Sequence, residues 1–91
     1  MKISTKGRYA LRILADIAEH GVEKNVPIRE IAERQGFSDK YLEGIVSRLS
    51  SAGLVKSGRG KYGGYRLVKL PAEYNVYEIL YAAEDSIALV S

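Results

Sequence analysis

The sequence predicts a mainly α domain with a small β-hairpin, ordered as a winged helix-turn-helix. Two observations carry this. Two short helical patterns meet at the glycine-containing turn Gly36-Phe37-Ser38, the spacing of a helix-turn-helix. Next comes a cationic glycine loop, Gly58-Arg59-Gly60-Lys61-Tyr62-Gly63-Gly64-Tyr65, set between Leu54-Val55 and Leu67-Val68. Two strands flanking that loop would form a hairpin with Arg59 and Lys61 at its tip, a wing over about residues 54–68.

Each element has its own local cause. From about Thr5 to His20, Ala10, Leu11, Ile13, Leu14, Ile17 and Ala18 recur at helical spacing, and Gly21 follows at a stop position. Val26-Pro27 opens a short helix with Ile28, Ile31 and Ala32 inward, closed by Gly36. Ser38 is placed to cap the next helix, about 39–52, in which Leu42, Ile45, Val46 and Leu49 form the inward stripe and Gly53 the stop. Pro71 blocks further strand pairing after the wing. Asn75-Val76-Tyr77-Glu78 reads as a capping box opening a last helix, with Val76, Ile79, Leu80 and Ala83 inward.

Bulk properties narrow the function. The 91 residues allow one domain with one small core. No run approaches the roughly 18 apolar residues that span a bilayer, and no signal-peptide block opens the chain, so a cytoplasmic location without membrane contact is expected. The chain holds no cysteine and a single histidine, His20. With neither a nucleophile–base pair nor a metal cluster to assemble, no enzyme is expected. His20 stands near the end of the first helix, where positive charge is favoured, and the acids Asp16, Glu19 and Glu23 around it read as a scattered, exposed set.

Charge is unevenly distributed. Lys2, Lys6, Arg8 and Arg12 give the first twelve residues +4, and residues 38–66 also sum to +4; residues 13–37 sum to −2 and 67–91 to −3. Such asymmetry suits a polyanion-binding face, although a charge run can also be a solvated surface.

In a helix-turn-helix the start of the second helix enters the major groove, which puts Ser38, Lys40, Tyr41, Glu43 and Gly44 nearest the bases. Helical projection sets Lys40, Gly44, Ser47 and Ser51 opposite the buried stripe, with Glu43 and Arg48 beside them. Lys40 could donate to guanine or to phosphate. Glu43 would be repelled by phosphates unless cytosine N4 donates to it, so it reads as a discriminator of sequence, or else as an ordinary exposed glutamate. Gly44 costs about 1 kcal/mol against alanine in a helix; it either admits the DNA backbone or is a plain surface substitution. Lys6, Arg8 and the wing cations Arg59 and Lys61 would contact phosphate or a minor groove.

Gly58, Gly60 and Gly63 match a dinucleotide-binding glycine motif, but a strand-like segment follows where that motif requires a helix. Tyr74, Tyr77 and Tyr81 group on a flank of the last helix, with the apolar Ile87-Ala88-Leu89-Val90 beyond. They either pack on a second subunit or cover the domain's own core.

Seven segments stand together: Met1-Lys2-Ile3-Ser4-Thr5-Lys6-Gly7-Arg8-Tyr9-Ala10, Ile31-Ala32-Glu33-Arg34-Gln35-Gly36, Tyr41-Leu42-Glu43, Ser47-Arg48-Leu49, Gly53-Leu54-Val55-Lys56-Ser57, Arg59-Gly60 and Gly63-Gly64-Tyr65. Through them the sequence resembles, along almost its whole length, the IscR/NsrR/CymR (BadM-type) winged-helix transcription regulators of bacteria. The resemblance implies a homodimeric regulator on a pseudo-palindromic operator in double-stranded DNA, read here as a repressor. The family's recognition positions fall on Ser38, Lys40, Tyr41, Glu43, Gly44 and Arg48, with Arg59 and Gly60 in the wing. Position 44 is commonly glutamine there, so glycine removes a base-edge contact. Family members continue through a long dimerisation helix, and cluster-binding ones through a cysteine-bearing loop. The chain ends at Ser91 and reads as a truncated DNA-binding part or a naturally short relative. An iron–sulfur cluster is expected only in a longer parent chain that carries cysteines. The competing reading is a winged helix that binds protein and not DNA.

Overall fold

Local capping explains where the helices begin and end. In the computed structural model, which describes residues 3–22, 24–58 and 63–84, α1 spans Thr5–His20, α2 Ile28–Gln35, α3 Asp39–Ser51 and α4 Val76–Ala83. Ser4 caps α1 by accepting from the Gly7 amide at 3.0 Å. Ser38 caps α3 by accepting from the Tyr41 amide at 3.2 Å, as its side-chain chemistry predicts. The α3 end is a Schellman arrangement: Gly53, at φ 78°, donates to the Ser50 carbonyl and Leu54 to the Leu49 carbonyl. Asn75 and Glu78 form the expected capping box at α4.

Strands β1 (Val55–Gly58) and β2 (Gly64–Leu67) pair antiparallel in the register Val55↔Leu67, Lys56↔Arg66, Ser57↔Tyr65 and Gly58↔Gly64. Val26 adds a one-residue third rung: its amide and carbonyl each bond to Tyr65 at 2.8 Å. That rung ties the segment before α2 to the hairpin. It also explains Gly64, whose φ is 146° and where a Cβ would lie within 2.7 Å of the Val26–Pro27 backbone.

The core is built where the four helices and the hairpin base meet. Ala10, Ile13, Leu14 and Ile17 of α1 pack with Ile31 of α2, with Leu42, Ile45, Val46 and Leu49 of α3, and with Ile79 and Ala83 of α4. Gly7 lets α4 lie close on α1, since a Cβ there would sit 2.8 Å from Leu80 Cδ2. These parts, in this order, are a winged helix-turn-helix.

Two expected positions differ. Val76 is 55% exposed, although helical phase puts it on the face of Leu80 and Ala83. It is the first residue of α4, at the end of the face where no described element covers it. Val68 lies outside β2 and is exposed, because its amide donates to the Tyr74 hydroxyl at 3.1 Å instead of to a strand partner. Lys2, Glu23, the wing-tip residues Arg59, Gly60 and Lys61, and the Ile87–Val90 tail lie outside the described residues.

Candidate nucleic-acid interface

The outer face of α3 is set by its inner one. With Leu42, Ile45, Val46 and Leu49 buried, the 3.6-residue repeat turns Lys40, Glu43, Gly44 and Ser47 to solvent, and all four are exposed. No ion pair among the described residues neutralises Lys6, Lys40 or Glu43.

The start of α3 is held by aromatic packing. Tyr9 of α1 lies over Phe37 of the turn at a centroid distance of 4.2 Å and meets Tyr41 edge-on at 5.6 Å. The Arg12 guanidinium covers the Phe37 ring at 5.1 Å and donates from Nε to Gln35 Oε1 at 3.1 Å and from Nη2 to the Gln35 carbonyl at 3.3 Å. α1 therefore fixes both the turn and the first residues of α3. A rigid support of this kind is what a readout surface requires.

Five of the sequence-predicted residues converge on one feature. Lys6 of α1 joins Lys40, Tyr41, Gly44 and Arg48 of α3, with Ile45, around a groove of about 230 Å³. Arg48 is half-buried and donates to the Ala83 carbonyl at 3.2 Å, which moors its guanidinium toward the α4 end. Ser38 accepts the Tyr41 amide as the α3 cap, which leaves its hydroxyl proton to donate, and it stands at the same end of α3. Arg8 is exposed and does not line the groove.

Three features escape the sequence reading. One is the support beneath α2: Asp16, 3% exposed, receives Arg34 and Gln35 Nε2, the latter at 2.9 Å. Asp16 is thus not one of a scattered, exposed set of acids; it follows Ile13 by three residues on the buried side of α1. Burial raises the Asp16 pKa, but hydrogen bonds from Arg34 and Gln35 and the nearby cations outweigh this, leaving the carboxyl below its ordinary value. The second is Tyr74, whose hydroxyl donates to the Leu54 carbonyl at 2.6 Å and braces the hairpin base. The third is the cross-strand pair Lys56↔Arg66, two exposed cations in register, visible only once the pairing is known.

Over residues 3–91 the sequence matches the Rrf2 family, described as an iron-dependent transcriptional regulator. The chain belongs to the Rrf2 family. It is 46% identical over 87 residues to the HTH-type transcriptional regulator IscR of Photorhabdus laumondii, covering 96% of this chain and 53% of that protein. It is 45% identical over 85 residues to the protein rrf2 of Nitratidesulfovibrio vulgaris, covering 93% and 57%. Among solved structures it is similar to CymR, the global cysteine regulator of B. subtilis, with a TM-score of 0.86, 44% identity, and 92% and 65% of the two chains covered. T. potens IscR is alike at a TM-score of 0.85 and 45% identity, covering 96% and 64%. The chain thus spans little more than half the length of the two curated Rrf2 relatives and about two thirds of the two solved chains.

The Rrf2 family is described as iron-dependent, and the described residues offer no set of side chains that would hold iron. The 91 residues include no cysteine, and no group of three or more metal-ligating side chains occurs among the described residues. His20 Nδ1 donates to the Asp16 carbonyl at 3.0 Å, and the Asp16 carboxylate is filled by Arg34 and Gln35. No described helix of this Rrf2 chain is long and apolar enough to cross a membrane.

Proposed function

We propose that this chain is the DNA-reading part of a transcription regulator of the repressor type. α3 reads the major groove and the hairpin enters an adjacent minor groove. The observation that carries this is the convergence of Lys6, Lys40 and Arg48 on one side of α3, whose outer face also presents an unpaired Glu43. Phosphate contacts from Lys6, Arg8, Arg59 and Lys61 supply affinity. Ser38, Tyr41 and Glu43 supply readout, Glu43 by accepting from cytosine N4, Lys40 donates to guanine or to phosphate, and Gly60 shapes the wing. Two copies on a pseudo-palindromic operator would set their recognition helices about 34 Å apart, one turn of B-DNA. An iron–sulfur cluster enters this reading only in a longer chain that brings cysteines, and the protein acts where the DNA is, in the cytoplasm.

Selection of sites from random duplex DNA at low salt tests the reading. A palindromic motif is expected, with Glu43→Ala relaxing one position of it and Arg59→Ala weakening binding throughout. Recovery of half-sites alone would remove the homodimer from the proposal. Absence of any enrichment would reject DNA recognition in favour of a protein-binding winged helix.

A further inference from the structure

Nothing among the described residues accounts for Gly44. It sits in the middle of the 13-residue helix α3, where glycine is the least favourable residue after proline. Its φ is not among the positive ones, so the backbone does not demand glycine. A Cβ built on it meets nothing within 4 Å, so packing does not demand it either. By contrast Gly64 is required, because a Cβ there would strike the Val26–Pro27 backbone. Gly44 keeps a space open toward the outside.

What borders that space identifies the occupant. The groove over Gly44 is lined by Lys6, Lys40 and Arg48, with Tyr41 and Ile45 as its apolar wall, and by no carboxylate. Lys6 and Lys40 are each the second residue of their helix, where a cation opposes the helix dipole and so does not serve the free fold. Three residue choices that give the isolated domain nothing thus meet at one groove, a pattern expected where function outweighs stability.

We infer that this groove seats one phosphodiester group of the DNA backbone, with Gly44 as its floor and Lys6, Lys40 and Arg48 neutralising it. The inference rests on the DNA-binding reading above and deepens it. Gly44 acts as a phosphate notch, so the helix gains register on the duplex at a position where a longer side chain would reach for a base.

The test uses the full chain, a set of duplexes of different defined sequence as probes, and two variants, Gly44→Ala and Gly44→Leu. Gly44→Ala should raise Tm by about 4–8 °C while lowering duplex affinity about tenfold, as a methyl enters a filled site. Gly44→Leu should lower the slope of log K against log salt by about 0.9, the loss of one phosphate contact. Unchanged affinity and slope in a stabilised Gly44→Ala would overturn the inference and leave DNA binding intact. So would a loss confined to particular sequences at constant slope, which would make position 44 a base contact. A fall in Tm for Gly44→Ala would assign the glycine to the fold and overturn it as well. A parent chain with no salt-dependent binding would remove the DNA-binding reading itself, and the notch with it.

Discussion

Arg34 of α2 closes on Asp16 of α1 across 18 residues of sequence, with Nη2 2.8 Å from Oδ1 and Nε 3.0 Å from Oδ2. The Asp16 side chain is 1% exposed and that of Arg34 31%. The pair is therefore one-sided: the carboxylate is buried and the guanidinium partly wet. Removing Arg34 strands a buried charge that Gln35 alone cannot satisfy. Arg34→Ala should destabilise the domain by about 2–3 kcal/mol, at the modest end for a broken buried pair because the cation is partly solvated. Urea unfolding measures this directly. A midpoint equal to the parent's would show that the bridge does not hold α2 in place.

The same carboxylate predicts an acid-sensitive fold. Asp16 has a folded pKa below its ordinary value, so the unfolded chain takes up a proton before the native one does. Its stabilisation is complete above the unfolded value, about 3.8, and is lost as pH falls through the lower folded one. Glu78 acts in the same direction, held down by the Asn75 amide and by Lys69. Stability should be flat at neutral pH with respect to these groups and should fall steeply below about pH 4. Asp16→Asn should start lower but lose less over that range. An equally steep acid limb in Asp16→Asn would move the effect to other carboxylates.

Much of this architecture is legible in the sequence because its causes are local. Ser38 and Gly53 mark the ends of α3, and the buried stripe between them follows from a 3.6-residue repeat. The residues around the groove are legible for the same reason: once one face of α3 is apolar, Lys40, Glu43 and Gly44 must lie outside. Long-range pairings are not legible. Asp16 with Arg34, Tyr74 with Leu54, and Val26 with Tyr65 join positions at least 18 residues apart, and no spacing rule reaches that far. Val76 departs from its expected burial for a related reason, since phase fixes the face of a helix but not how far along its axis the covering surface extends.

Tyr74 illustrates how one such pairing shapes the wing. Its hydroxyl donates to the Leu54 carbonyl at 2.6 Å and accepts from the Val68 amide at 3.1 Å, while Lys69 Nζ lies 4.9 Å from its ring. The hydroxyl therefore stands between the residues just outside both strands and stops the ladder at Val55 and Leu67. Tyr74→Phe keeps the ring and deletes both bonds, leaving the carbonyl of buried Leu54 without that donor. A loss of about 1–2 kcal/mol is expected. Amide exchange should also quicken at Val68 more than in the α3 core. Unaltered protection at Val68 would contradict the bracing role.

Lys56 and Arg66 face each other across the hairpin as directly opposed, exposed cations. Like charges in that relation destabilise a strand pair, and no ion pair among the described residues relieves them. Arg66→Glu should convert the repulsion to attraction and stabilise the domain by about 0.2–1 kcal/mol at low salt. The gain should vanish near 1 M salt, where the screening length is about 3 Å. The same change removes positive charge from the element proposed to enter the minor groove, so duplex affinity should fall as stability rises. Salt-dependent Tm together with duplex titration separates the two effects. Gain in stability with undiminished duplex binding would show that the strand cations serve neither the hairpin nor the DNA, and would confine the wing's contribution to its tip.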